Sequence, residues 1–292
     1  MTEVRVVTEG LRFPEGPVAM PDGTVLVVEI QGGALTRVHP DGRKEVVADL
    51  GGGPNGAAIG PDGRCYVCNN GGFNFADFDG LNLPSSIADD YTSGWIDVVD
   101  LDTGKSEVLY RSCGDRPLRG PNDIVFDKYG GFWFTDPGRI ERGKRDRGCV
   151  YYAKTDGSFI KRVIFPLEGA NGIGISPDDS LLYVAESPAG RIWSFEITGP
   201  GEIRKIKGPV PWERGHFVGG MSNYSVFDSL AIDADGNICV ANIPHGGITV
   251  MAPDGHIVEE HPMPDIFTTN IAFGGRDLKT AYITLSSSGK LV

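Results

Sequence analysis

Six positions carry an oxygen-bearing side chain at one place in a repeating pattern: Glu15, Asn55, Asn122, Asn171, Asp228 and Asn270. Each stands seven residues before a turn at Asp22-Gly23, Asp62-Gly63, Tyr129-Gly130, Asp178-Asp179, Asp235-Gly236 or Arg276-Asp277. Fourteen residues further on come Glu29, Asn69, Asp136, Asn242 and Thr284, with Glu186 displaced by one. Oxygen ligands without cysteine or histidine suit hard cations such as calcium, magnesium or manganese. Converging carboxylates repel one another unless a cation or protons compensate them. Asparagine carbonyls help, because they ligate without adding charge. For any single position a turn-capping Asn or Asp is explanation enough. Six in register call for a shared axis.

The elements that must position these residues are short β-rich runs split by turns. Residues 16–20 and 24–28, 57–60 and 64–68, 124–127 and 132–135, and 230–234 and 237–241 read as hairpins. Asp-Gly between such runs is a hairpin signal, since both residues tolerate the positive φ of tight turns. No segment shows a convincing helical period. The chain is therefore expected to be all-β. Spacings of 40, 67, 49, 57 and 42 residues between the six positions suit one four-stranded sheet plus loops per repeat. Six such units predict a single six-bladed β-propeller over residues 1–292. The last unit is one strand short, and residues 4–7 are expected to supply it, leaving no free sheet edge. Both sets of oxygen-bearing residues then lie at one mouth of the central channel.

Composition narrows the function. The chain has 292 residues, 40% hydrophobic and 23% charged, with 42 glycines and 20 prolines, too turn-rich for a helical bundle. A net charge of −12 repels phosphate backbones and anionic lipid, arguing against nucleic-acid or membrane partners. No apolar run approaches a bilayer span, and the first residues lack the apolar core of a secretory signal. Five scattered cysteines fit a reducing cytoplasm. Cys65 and Cys68 have CxxC spacing but fall within a strand, where alternation points them to opposite faces. Two loops stand out. Residues 70–94 are long, leave from the mouth of the channel and suit a lid carrying Phe73, Phe75 or Phe78. Residues 137–148, with charges from Arg139 to Arg147, read as a solvated loop. A third segment, 211–226, brings Trp212, His216 and Tyr224 beside Asp228.

Phe13-Pro14-Glu15-Gly16-Pro17, Gly120-Pro121-Asn122-Asp123, Phe134-Thr135-Asp136-Pro137, Gly169-Ala170-Asn171-Gly172-Ile173 and Phe227-Asp228-Ser229-Leu230-Ala231 occur in this order along nearly the whole chain. This series resembles the motifs of the SMP-30/gluconolactonase family. The resemblance implies a six-bladed propeller holding one divalent cation, usually calcium and sometimes zinc or manganese, and hydrolysis of a sugar lactone such as an aldonolactone. Magnesium also suits the oxygen donors. The ligands would be Glu15, Asn171 and Asp228, with Asn122 a fourth ligand or a substrate contact. Asp228 would act as general base or as direct nucleophile. Asn122, Arg119 and Asp136 would bind substrate hydroxyls or the ring oxygen. Two departures are visible: Ser229 stands where many relatives have glycine, and Gly120 where sugar-lactone members often have arginine. Two other readings use the same ring: hydrolysis of a non-sugar lactone or phosphotriester, and a calcium-binding propeller without turnover. The expected partner is a small lactone, and the oligomeric state is left open.

Overall fold

Second strands of each repeat, among them Val25–Glu29, Cys65–Asn69 and Gly131–Asp136, are runs of β-branched, aromatic and other apolar residues buried along their whole length. Such runs belong in strands covered on both faces. The computed structural model, which describes residues 3–141, 143–206 and 215–292, builds six antiparallel sheets around a channel, each of four strands except the fourth, which gains a short fifth strand, Glu202–Ile203. Blade one is Pro14–Ala19, Val25–Glu29, Ala34–Val38 and Lys44–Asp49. Blade two is Pro54–Ile59, Cys65–Asn69, Trp95–Val99 and Ser106–Tyr110. Blade three is Ile124–Phe126, Gly131–Asp136, Gly148–Lys154 and Ile160–Leu167. Blade four is Ala170–Ile175, Leu181–Glu186, Arg191–Gly199 and His216–Gly220; blade five is Val226–Ile232, Ile238–Ile243, Gly247–Met251 and Ile257–Pro262.

Blade six joins Thr268–Gly274, Thr280–Leu285 and Lys290–Leu291 to Thr8–Glu9 from the start of the chain. The closing strand is thus Thr8–Glu9, paired with Leu291 and Lys290, rather than residues 4–7. Of the expected segment, Val7 donates its amide to Leu291 O at 2.9 Å. Pairing starts later because blade six ends in a short strand of two residues.

The core lies between blades, one cluster at each interface. Leu26 and Val28 pack with Cys65, Val67 and Val99 between blades one and two, while Val25 and Val27 point the other way, to Leu11, Val38 and Leu291. Cys68 joins Phe132 and Phe134 on the opposite face from Cys65, as strand alternation requires. Burial pushes the Cys65 thiol up to about 12, which suits inert packing.

Turns differ from the expectation in one respect. Asp22 is not left-handed; only Gly23 has positive φ, at 86°, and Met20 N–H···O Thr24 closes three intervening residues. Asp22 Oδ1 instead accepts the Thr24 amide at 2.9 Å. The repeated Asp-Gly is therefore a three-residue loop ending in a glycine bulge. Blade four has one residue more, closing from Ser176 to Leu181. That extra residue explains the displacement of Glu186. Among the described residues the helical content is a single 3-10 turn, Ser187–Ala189, and no helix is long and apolar enough to cross a membrane.

Candidate metal centre

Where the innermost strand begins, the ladder is broken in five of the six blades. Pairing jumps between Glu15 and Val18, Pro54 and Gly56, Ala170 and Ile173, Phe227 and Leu230, and Thr268 and Asn270. A bulge re-aims a side chain out of the normal alternation. The bulge leaves Asn55, Asn171 and Asp228 out of the ladder, whereas Glu15 and Asn270 stand at its edge, still opposite Val28 and Thr284. Asn122 and Asp123 precede the paired part of their strand and are held by Asn122 N–H···O Thr135 at 2.8 Å and Thr135 N–H···O Asp123 at 3.0 Å.

Glycine brings neighbouring blades together at this level. A Cβ on Gly16 would lie 2.6 Å from Asn55 O, one on Gly56 2.4 Å from Asn122 O, and one on Gly172 2.6 Å from Asp228 O. Each glycine follows a ring residue in one blade and touches the backbone of the ring residue in the next. The Glu-Gly and Asn-Gly pairs of the sequence are spacers.

The ring they create is short of hydrogen-bond donors. Asn122 Oδ1 and Asn171 Oδ1 are enclosed and accept no hydrogen bond. Glu15 is 3% exposed, and its Oε2 accepts from Asn270 Nδ2 at 2.8 Å and from Gly16 N at 2.9 Å. Burial raises Glu15 to about 6. Asp228 is pushed well above the usual carboxylate range, first by burial and then by the negative charge of Glu15, although the Asn171 side chain hydrogen-bonds it. Buried polar atoms without partners are costly. Two unpaired amide oxygens beside two destabilised carboxylates form an acceptor-only donor set of the kind that a hard divalent cation satisfies. The residues present therefore fit the cation that the motifs imply. Among the described residues no cluster of three or more His, Cys, Asp and Glu side chains could hold a metal ion, so amides must complete this set.

Asp123 escaped the sequence reading. It is buried directly after Asn122, accepts from Ile124 N at 3.0 Å and Ile173 N at 3.3 Å, and is hydrogen-bonded by the Ser229 side chain. Burial, then the charge of Glu15, raises it to about 7. Asp123 and Asn270 also line a hollow of about 370 Å³ walled by Val125, Ile175, Ile232 and Phe273 of the innermost strands. The adjacent Asn-Asp in the motif was the available signal; the spacing rule selected only its first member.

Several members of the second set of oxygen-bearing residues accept from backbone amides. Glu29 Oε2 accepts from Arg12 N at 2.7 Å, Asn69 Oδ1 from Gly53 N at 2.9 Å, and Glu186 Oε1 from Glu168 N at 2.5 Å. Asp136 accepts from the amides of Arg119, Gly120 and Gly138 at 2.8, 2.9 and 2.9 Å. In four blades, then, this side chain clasps the loop that leads to its own ring residue. Arg119 turns its guanidinium to Asp146 at 2.9 Å and toward Glu141 at 3.7 Å. With Asp136 it lines a hollow of about 370 Å³ beside Arg162 and Phe165, apart from the ring.

The 70–94 segment folds as a hairpin, Phe73–Phe78 with Leu81–Ile87, separate from its blade. Of the aromatic segment before Asp228, Trp212 lies outside the described residues, Phe217 stacks edge-on against Trp193 at 5.7 Å, and Tyr224 is 75% exposed.

A six-bladed propeller with carboxylate and amide oxygens gathered where its innermost strands begin defines the class of this protein. Residues 13–287 match the SMP-30/Gluconolactonase/LRE-like region, and the chain belongs to that family. It is 29% identical over 266 residues to lactonase drp35 of Staphylococcus haemolyticus, covering 89% of this chain and 72% of that protein. The fold is similar to that of a gluconolactonase from Xanthomonas campestris, with a TM-score of 0.75 at 22% identity over 98% of this chain and 86% of the other. It is also similar to the calcium-binding protein regucalcin from Agrobacterium tumefaciens, with a TM-score of 0.74 at 18% identity over 99% and 94% of the two chains.

Proposed function

We propose that this protein is a divalent-cation-dependent hydrolase that opens a lactone ring, with Glu15, Asn122, Asn171 and Asp228 holding the cation. The observation that carries the reading is the pair of enclosed, unpartnered amide oxygens, Asn122 Oδ1 and Asn171 Oδ1, beside the buried Glu15 and the half-buried Asp228. Family membership supports the reaction class, and the name lactonase in its 29% identical relative supports it further. Calcium is the first choice of cation, given an all-oxygen set with neutral amides. Such a cation, when bound, polarises the lactone carbonyl and stabilises developing negative charge.

The chain's own residues supply the rest. Asp228 takes a proton from the attacking water at the carboxylate oxygen that is not engaged in the ring. Glu15, tied to Asn270 and Gly16, keeps a fixed position and serves as anchor. Asn122 stands where it can hold the cation or orient the ring oxygen.

The test is a panel of lactones assayed by acid release, using metal-stripped protein reloaded with calcium, manganese, magnesium or zinc. Hydrolysis restored by one cation and absent without it is the expected result. No hydrolysis of any lactone with any of the four would overturn the reading.

A further inference from the structure

Arg139 is 5% exposed, and among the described residues no carboxylate lies within ion-pair distance of it. Asp136 acts on it only through its charge, without an ion pair, so the hydrogen bonds of this buried guanidinium should reveal its purpose. Its Nη2 donates to Asn70 O, to Asn70 Oδ1 at 3.2 Å and to Gly72 O at 3.3 Å, and its Nε to Arg119 O at 3.3 Å. The planar group lies 4.3 Å from the Phe73 ring centroid and 4.8 Å from that of Tyr91. Tyr91 in turn donates its hydroxyl to Arg119 O at 2.6 Å.

These contacts have a common geometry. Asn70, Gly72 and Phe73 form one root of the inserted hairpin, and Tyr91 follows its other strand. Arg119 belongs to the loop that delivers Asn122. One side chain from blade three therefore grips both roots of a blade-two insertion and the approach to a ring residue. At its far side the hairpin rests on blade one: Phe75 packs edge-on against Phe13 at 5.2 Å, and Asn82 Nδ2 donates to Gln31 Oε1 at 2.7 Å. Phe13 stands two residues before Glu15. The hairpin thus spans from the Asn122 side of the ring to the Glu15 side.

We infer that the 73–87 hairpin is a fixed wall of the substrate cup that reads the bulk of a ring substituent, and that Arg139 is the positioning residue that sets its place relative to Asn122. The inference rests on the lactonase reading for its kinetic test. Four carbonyl acceptors, three of them backbone, and two aromatic faces call for a flat cation with several donors; lysine offers a point charge and no plane.

The experiment compares wild type, Arg139→Met and Arg139→Lys on γ-butyrolactone, which has no substituent, and on the same ring carrying a pentyl chain. For both variants KM for the pentyl lactone should rise about tenfold relative to KM for the bare ring, with kcat on the bare ring within about twofold of wild type. Limited proteolysis within 70–94 should accelerate about tenfold while the unfolding midpoint of the whole protein moves little. Equal kinetic effects on both rings, or unchanged proteolysis, would overturn the inference. If both arginine variants fail to fold, Phe75→Ala decides: the KM ratio should move in the same direction, and an unmoved ratio sinks the wall. If wild type opens neither ring, the same comparison uses a bare and a substituted lactone that it does open, and proteolysis still tests the clamp.

Discussion

Asn270 donates its Nδ2 hydrogen to Glu15 Oε2 at 2.8 Å, although 255 positions separate the two in the chain. The contact crosses the seam where the last blade meets the first. Closure of the propeller and placement of the buried carboxylate are consequently one event. Ser286 Oγ donates to Pro14 O at 2.6 Å across the same seam, so the strand carrying Glu15 is held from blade six at two points.

Replacing Asn270 by alanine should therefore damage both stability and cation binding. Glu15 would lose a side-chain donor inside a buried site, a loss worth about 1–3 kcal/mol. Calcium titration calorimetry should show weaker binding than wild type, and denaturant unfolding should show the stability loss. Unchanged cation affinity would separate the seam from the ring.

Gly56→Ala tests the spacer role. The new methyl carbon would begin 2.4 Å from Asn122 O and 2.7 Å from Asp123 Cα, both parts of the backbone that cannot swing away. A shift of blade three against blade two follows, at a cost of about 1–3 kcal/mol. Because Asn122 moves with it, cation affinity should fall as well. Gly63→Ala, at a turn with nothing within 4 Å of its Cβ, is the control for conformational strain alone, since its φ is +78°; it should lose stability and keep its affinity.

Asp136→Ala asks whether this carboxylate clasps a loop or touches substrate. The substitution leaves the amides of Arg119, Gly120 and Gly138 without their acceptor. A loss of at least about 2 kcal/mol in unfolding free energy is expected. Lactone KM measured at saturating cation should stay near the wild-type value. A raised KM with unchanged stability would instead give Asp136 the substrate contact that its family motif implies.

How far the sequence reveals this molecule depends on what repeats. The ring was legible because turn-to-ring spacing is constant in every blade, and in five of the six a bulge falls at the start of the innermost strand. The second set was legible as a set but not as a role: Glu29 and Asp136 have ligand chemistry, and only three-dimensional structure shows that backbone amides take their oxygens. Asp123 was hidden because it departs from the repeat by one position. Arg139 was hidden for another reason. It opens a run of charges that reads as solvated, and its aromatic partners, Phe73 and Tyr91, come from another blade. Contacts between an insertion and a distant loop leave no periodic trace.

Asp97 gives a pH dependence that does not involve the ring. It is 3% exposed, accepts from Trp95 Nε1 at 2.7 Å and Asn69 Nδ2 at 3.1 Å, and is raised by burial to about 6. The folded state holds this proton between the ordinary carboxylate value of 3.8 and about 6, whereas the unfolded chain releases it. Stability from this group is thus fully present below about pH 4 and is lost as pH rises through about 6. The loss approaches about 3 kcal/mol. Asp97→Asn keeps an acceptor for Trp95 and Asn69 and cannot ionise. Its stability should therefore fall less than that of wild type between about pH 4 and 7, as read from urea unfolding across that range.

Asp228→Asn and Asn171→Leu separate ligation from proton transfer. Asn171→Leu removes one oxygen from the set and leaves Asp228 intact, so activity lost at low calcium should return as calcium is raised. Asp228→Asn keeps an oxygen but removes the charge and the base. Its kcat should fall about 10²–10⁴-fold and stay low at any calcium concentration. Single turnover of wild type in ¹⁸O-water then distinguishes the two roles open to Asp228. A base delivers solvent oxygen to the product carboxylate in the first cycle. A nucleophile would first deliver one of its own unlabelled oxygens and acquire label itself, which mass spectrometry of the peptide containing Asp228 would reveal.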